Sequence, residues 1–445
     1  MNQEVTVREH ARLTTDSVKS TLDRAQVSAS AFDWLCELNS SFSKGGAALI
    51  HLEGRRWLRV DNYVGVIETP CGTRLEILPK NFEQDDCVIR SRKLLTRMIS
   101  RSLDLPVREV GTADLQLFNM PLTEWVMQQF LYALDHLIKR GVRFDYQRVE
   151  EEQRFLRGQL NVVGQMRQPP GKQHIFQIRH DIFTADRPEN RLLKLALEWI
   201  CKATKEPSSW RLAHELRALM VDVPASKSIG QDFRMWRHDR LMAHYQSAKP
   251  WCELILNQQM PTAVTGNLHG ISLLFPMEKL FEKYVTQSLR EKLLPNARLT
   301  EQAASKYLCE HDGRPIFQLK PDILMHFEGA RWVLDTKWKR IDDSDRANKY
   351  GLSQSDFYQM HTYGQKYLAG QGDLILIYPR TASFTNPLHP FEFSGSLRLW
   401  VLPYDLEHES LIGFDLARLP LIDPKKRASH IALESSFATV ANNIS

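Results

Sequence analysis

The sequence predicts an α/β protein. Its C-terminal part should be a mixed sheet flanked by helices, preceded by a small β-rich domain and a mostly helical middle segment. Three observations carry this. Short alternating runs punctuated by Gly and Asp-Asn fill residues 47–78. Long apolar stripes at helical spacing fill much of 121–257. From 276 to 404, helix, hairpin, helix and strand patterns alternate. The expected domains are 1–110, 111–265 and 266–445.

Taken in order, residues 1–27 are polar and are expected to be loosely held. Ser28–Phe42 has Phe32, Leu35, Cys36 and Leu38 at helical spacing. Ala47–Val60 and Tyr63–Leu78 read as short strands, and Cys87–Leu103 as a helix with Leu94, Leu95 and Met98 inward. Pro121–Gly141 is a strong helix. Strands are expected near Arg143–Val149 and Ile175–Phe183, then helices at Arg187–Thr204, Trp210–Val221 and Arg237 to about Asn257. The loop Gln258–Gly266 reads as a boundary, and the polar tail after Pro424 reads as flexible.

The C-terminal part holds the most informative pattern. Residues Ile316–Phe327 and Arg331–Trp338 are strand-like, with Glu328-Gly329-Ala330 as the turn signal. A two-residue turn at Glu328-Gly329 sets Phe327 against Ala330 and Asp322 against Asp335. Side chains alternate along a strand, so Asp335 and Lys337 share that face. Opposed carboxylates repel, and a divalent cation between them removes the penalty. The hairpin therefore reads as a hard-metal site with a lysine beside it. The same spacing also fits a solvated strand face. Upstream, Pro276–Glu291 is an amphipathic helix with Glu282 at the edge of its apolar stripe. Glu282 either reaches into a covered site or pairs with a neighbouring lysine at the surface. Downstream, a helix starting near Ser353 places Gln359 and Tyr363 four apart on one face. A strand, Asp373–Tyr378, follows.

Composition narrows the function classes. The chain has 445 residues, of which 43% are hydrophobic and 25% charged, the balance of a globular protein of two or three domains. No apolar run approaches membrane-spanning length, and the N-terminus lacks a secretory pattern. Six scattered cysteines without a C-x-x-C pair argue against structural zinc and for a reducing cytoplasm. No G-x-x-x-x-G-K-[ST], H-E-x-x-H or G-x-S-x-G occurs. The net charge is +5, and residues 266–445 balance to zero. That part is not a basic module able to grip DNA unaided. Gln153–His180 carries Arg154, Arg157, Arg167, Lys172 and Arg179 and no acid. It reads as a contact for phosphates or an acidic partner surface, or as a solvated loop and strand edge.

The order helix, strand, hairpin with Asp and Asp-x-Lys, helix with Gln-x-x-x-Tyr, strand resembles the PD-(D/E)XK nuclease core. Further segments resemble the McrC family. These are Tyr63–Ile67, Leu75–Lys80, Leu156-Arg157-Gly158-Gln159-Leu160, Asp186–Leu193 with its Asn190-Arg191-Leu192-Leu193, and Asp356–Met360. The resemblance implies a Mg2+-dependent DNA endonuclease subunit, with Mn2+ as a substitute, in a GTP-dependent restriction system of the cytoplasm. Asp322 and Asp335 would coordinate the cation, with the Thr336 carbonyl and Glu282 completing the shell. Lys337 would orient water or stabilise charge on the phosphate. Gln359 would orient the lysine or touch the DNA backbone, supported by Tyr363. The implied partners are a McrB-like AAA+ GTPase hexamer, docked by the N-terminal half, double-stranded DNA, and a second copy through the nuclease domain. The competing reading is a non-catalytic adaptor that stimulates the GTPase ring.

Overall fold

A computed structural model describes residues 3–422, except 43–48, 55, 81–86, 107–119, 170, 173, 238–239, 257–272 and 394–395. The chain divides into two compact units. One combines Met1–Asp104 with Leu274–Ser445, and the other spans Leu105–Met260. This differs from three successive domains: the N-terminal and C-terminal segments build one body, and the middle segment is an insertion. The expected boundary loop and the C-terminal tail both lie wholly outside the described residues. No described helix is long and apolar enough to cross a membrane.

In the first unit, Glu4–Arg8 pairs parallel to Arg74–Leu78, which pairs antiparallel to Tyr63–Glu68. Val5, Val7, Ala11 and Leu13 are buried, so residues 3–27 are not the loose leader their polarity suggests. The apolar residues are few but alternate, and alternation suffices for a strand with one covered face. Ile50–Glu53, Trp57–Val60, Arg12–Thr14 and Arg24–Gln26 form a second small sheet.

The C-terminal part of this unit is a seven-stranded mixed sheet. Arg298–Glu301 pairs antiparallel to Ile323–Phe327, which pairs antiparallel to Ala330–Thr336. Ala330–Thr336 runs parallel to Gln371–Pro379, and that strand runs parallel to Ser396–Asp405. Helix Gln354–Tyr367 supplies Met360, Tyr363 and Tyr367 to the core with Val333, Leu374, Leu376 and Leu399. Helix Met277–Glu291 lies against Ala330–Thr336 and buries Met277, Leu280, Phe281, Tyr284, Val285 and Leu289. The expected single strand over Ile316–Phe327 is two. Arg314–Leu319 pairs with Lys306–His311 in a separate two-stranded arm. The break falls at Lys320-Pro321-Asp322, where proline offers no N–H to a ladder.

In the second unit, helices Leu122–Arg140, Pro188–Ala203 and Pro207–Leu219 pack around Phe130, Leu134, Leu193 and Leu197. The helix expected over Arg237–Asn257 is broken, with a 3-10 turn at Arg240–Tyr245 and a helix at Lys249–Leu256. Strands Asp145–Gln153, Phe176–Thr184 and Gln159–Leu160 form a small antiparallel sheet. Gly158 is fixed by close approach. It has φ +69°, and a Cβ there would lie 2.4 Å from the Arg179 carbonyl oxygen. The root of the sheet is tied by polar groups. Asn190 donates to the carbonyls of Arg143 and Ala185, both at 2.9 Å, and accepts from Tyr245 Oη at 2.7 Å. Arg191 pairs with Asp186 at 2.8 Å and Asp232 at 2.7 Å.

One buried carboxylate joins the two ends of the first unit. Glu9 is fully buried. It accepts from Lys80 N at 2.9 Å and from Trp338 Nε1 at 3.2 and 3.1 Å. Burial pushes its carboxyl up to about 7, although the Lys80 and Trp338 donors pull the other way. A carboxyl raised on folding contributes stability below its unfolded value and loses it as pH rises through its folded one. From 4.5 to about 7, the loss is about 3 kcal/mol. We expect Glu9→Gln, which cannot ionise, to flatten this slope. Urea midpoints at about pH 5 and about pH 8 check it. Parallel pH curves for the two proteins would contradict the assignment.

Candidate active site

The hairpin turn is two residues long. Glu328 and Gly329 have φ +49° and +83°, the two positive values a type I′ turn requires. The register sets Phe327 against Ala330 and Ile323 against Leu334. Asp322 therefore stands one step beyond the last pair, beside Asp335. Its carboxylate is not free: Oδ2 accepts from Thr336 N at 2.8 Å and Thr336 Oγ1 at 2.9 Å.

Asp335 points into the sheet interior and is 1% exposed. Lys337 Nζ lies 2.5 Å from its Oδ2, a close ion pair. Lys337 Nζ also donates to Gln359 Oε1 at 3.2 Å. Gln359 Nε2 donates to Tyr363 Oη at 2.8 Å, and Tyr363 Oη donates to the Lys320 carbonyl at 3.1 Å. The four-residue spacing on one helix thus delivers a relay that ends on the lysine.

Glu282 joins from the other side. Gln302 Nε2 donates to Glu282 Oε1 at 2.5 Å and to Asp322 Oδ1 at 3.2 Å. Sequence reading missed Gln302, which lies at φ +45°, a backbone state no local motif announces. It also missed the side chain of Thr336, expected only as a carbonyl ligand. Glu282, Asp322, Asp335, Thr336, Lys337, Gln359 and Tyr363 are thereby brought to one place. Arg154, Arg157, Arg167, Lys172 and Arg179 lie in the second unit. The first four are exposed. Arg179 is committed to Glu150 at 2.5 Å across the strands, an acid just outside the acid-free stretch.

The electrostatics follow from burial. Desolvation raises Asp335, to about 7, and Asp322 adds to the rise. Desolvation also raises Asp322, against the opposing Thr336 bonds and Lys337 charge. Glu282 rises through burial and the charge on Asp322. Burial alone would lower Lys337, but the Asp335 carboxylate and its hydrogen bond hold it above the ordinary value. One cation among three acids leaves the group short of positive charge. An all-oxygen donor set of three carboxylates facing a single ammonium fits a hard divalent cation. No three His, Cys, Asp or Glu side chains among the described residues form a tight preformed cage. The fit is thus to an open shell completed by water or substrate, as Mg2+ prefers.

With this geometry in hand, comparison with known proteins is specific. A family model, the McrBC 5-methylcytosine restriction system component, matches residues 58–379. No curated protein sequence matches the chain. Among solved structures, the chain is similar to one in the half-complex from a tetradecameric assembly of Thermococcus gammatolerans McrB AAA+ hexamers with bound McrC. The TM-score is 0.67 at 17% identity, over 91% of this chain and 95% of that one. A second similar chain, in the Thermococcus gammatolerans McrBC complex, has TM-score 0.49 and 20% identity over 65% and 87%. The family match spans well over half the length, and this chain belongs to the McrBC 5-methylcytosine restriction system component family.

Proposed function

We propose that the chain is a Mg2+-dependent DNA endonuclease subunit that acts with a McrB-like AAA+ GTPase hexamer. The observation that carries this is the linked cluster of Glu282, Asp322, Asp335 and Lys337, assembled where the strand Ala330–Thr336 ends and left with excess buried negative charge. Asp322 and Asp335, with Glu282 and the Thr336 carbonyl, would hold the cation. Bound there, Mg2+ supplies Lewis-acid polarisation of the scissile phosphate. Lys337 stays an ammonium, because its neighbours hold its pKa up. It therefore serves as a donor to developing phosphate charge and not as a base. Two of its three N–H groups face Asp335 and Gln359, which leaves one for a phosphate oxygen. Gln359 and Tyr363 fix its direction. The fold likeness to a McrB–McrC assembly supports the GTPase partner. Stimulation of GTP hydrolysis belongs to the same proposal.

The partner-facing surface is proposed on the small sheet of the second unit. Phe144, Tyr146 and Phe183 are 44, 71 and 62% exposed, and the Phe183 ring stacks on Phe144 at 5.1 Å and meets a tilted Tyr146 at 5.0 Å between centroids. Exposed aromatic clusters mark interaction sites, and the exposed Arg154, Arg157, Arg167 and Lys172 flank the same sheet. A division at residue 258 would sever the first unit, so the test uses substitutions in the whole chain.

Three outcomes are expected. In the reconstituted complex with Mg2+ and GTP, Asp322→Ala, Asp335→Ala and Lys337→Ala should each lower cleavage at least about 100-fold while GTP hydrolysis persists. Full cleavage by any one of them would remove the site assignment. In thermal melts, Mg2+ should raise the wild-type Tm and not that of Asp335→Asn. Without metal, Asp335→Asn should melt at or above the wild type, because a buried like-charge pair is relieved. Equal Mg2+ shifts would place the metal elsewhere. Tyr146→Ala and Arg157→Glu should weaken GTPase stimulation about fivefold or more, read as turnover against added chain. Undiminished stimulation by both would move the docking surface.

A further inference from the structure

The two-stranded arm Lys306–His311 and Arg314–Leu319 leaves the nuclease sheet immediately before Asp322. Its inner side lies against helix Gln354–Tyr367, with Tyr307 and Ile316 half-buried. Its outer side carries an apolar pair. Leu308 and Phe317 fall opposite each other between the pairs Tyr307–Gln318 and Cys309–Ile316. They are 44% and 68% exposed. Phe317 has φ +55°, a conformation a bulky L-residue adopts only under strain. Strained backbone persists where surrounding structure enforces it, and it clusters at sites of function.

The root of the arm is rigid. Tyr367 Oη lies 2.5 Å from the Ala303 carbonyl and 2.8 Å from the Leu319 carbonyl, at the roots of the two strands. Tyr363 Oη, which also holds Gln359, donates to the Lys320 carbonyl at 3.1 Å. One helix thus fixes both the lysine of the candidate site and the base of the arm. Lys306 and Lys320 are exposed at the root, beside the site, and the far turn carries Glu310 and Asp312 together with Arg314.

We infer that the arm is a substrate reader: Phe317, seconded by Leu308, rests against a DNA base flanking the scissile phosphate, with Lys306 and Lys320 on the adjoining backbone. This rests on the nuclease reading above. DNA is the occupant that continuity favours. A strand lying over Asp322 and Lys337 passes the arm root two residues before Asp322, with Phe317 five residues before it, so that cations meet phosphates and an exposed ring meets a base face. Apolar side chains placed this way wedge at base steps or stack on unpaired bases.

The test uses the full chain assembled with its GTPase partner, a fluorescein-labelled duplex, and Ca2+ in place of Mg2+ for binding. Phe317→Ala should weaken duplex affinity, read by anisotropy, and Mg2+-dependent cleavage roughly tenfold. Phe317→Leu should restore much of both, and GTP hydrolysis should not change. A benzophenone amino acid at position 317 should photo-crosslink to the duplex. Wild-type binding and cutting by Phe317→Ala would overturn the inference. So would crosslinks to a second copy of the chain or to the partner with none to DNA. If the wild-type assembly cuts no DNA, the nuclease reading falls, and the crosslink alone still decides the arm.

Discussion

Everything at the candidate site depends on the burial of one carboxylate. Asp335 sits in the interior of the sheet at 1% exposure, where an ionised acid is costly unless compensated. Its neighbours are arranged around that cost. Lys337 answers it with charge, and Gln359 and Tyr363 keep the lysine in place. Thr336 and Gln302 occupy Asp322, so that the second carboxylate is held at the edge and not driven away. The compensation is incomplete, since one lysine faces the charge of Asp335, Asp322 and Glu282 together.

The hairpin was legible because its determinants are local. A Glu-Gly turn between β-rich runs selects a two-residue loop, and the register then follows by counting. The spacing of Gln359 and Tyr363 was legible for the same reason. Gln302, Glu9 and the break at Pro321 were not. Gln302 acts across 20 residues to Glu282 and to Asp322 from an irregular turn. Glu9 is an isolated acid in a polar leader, and only the tertiary fold places it over Trp338. The run from Ile316 to Phe327 satisfies strand propensity throughout, so nothing but the proline marks where one ladder ends and another begins. The helix over Arg237–Asn257 failed similarly, because apolar spacing continued across a segment containing Pro250.

The two units handle polar residues in opposite ways. In the first unit, the buried acids of the candidate site outnumber the cation beside them, a poised arrangement. In the inserted unit, Asn190 and Arg191 are satisfied by the partners named above and Arg187 pairs with Asp145 at 3.0 Å, and the effect is rigidity. The segment Asp186–Leu193 was noticed for its resemblance alone. Its structural meaning is that it fixes the base of a sheet whose aromatic face is left uncovered.

The discontinuous first unit has a consequence for biosynthesis. Its strand Glu4–Arg8 pairs with Arg74–Leu78, but the buried Glu9 finds its indole partner only at Trp338. The sheet around Asp335 also needs Ser396–Asp405. On a ribosome the inserted unit can finish folding while the earlier segment still waits, since domains fold as their residues emerge. The late contacts close over an already compact insert and not over a long floppy loop, which lowers their entropic cost. The order of synthesis therefore makes the candidate site around Asp335 the last part of the chain to form, after the segment proposed to meet the GTPase has already taken shape.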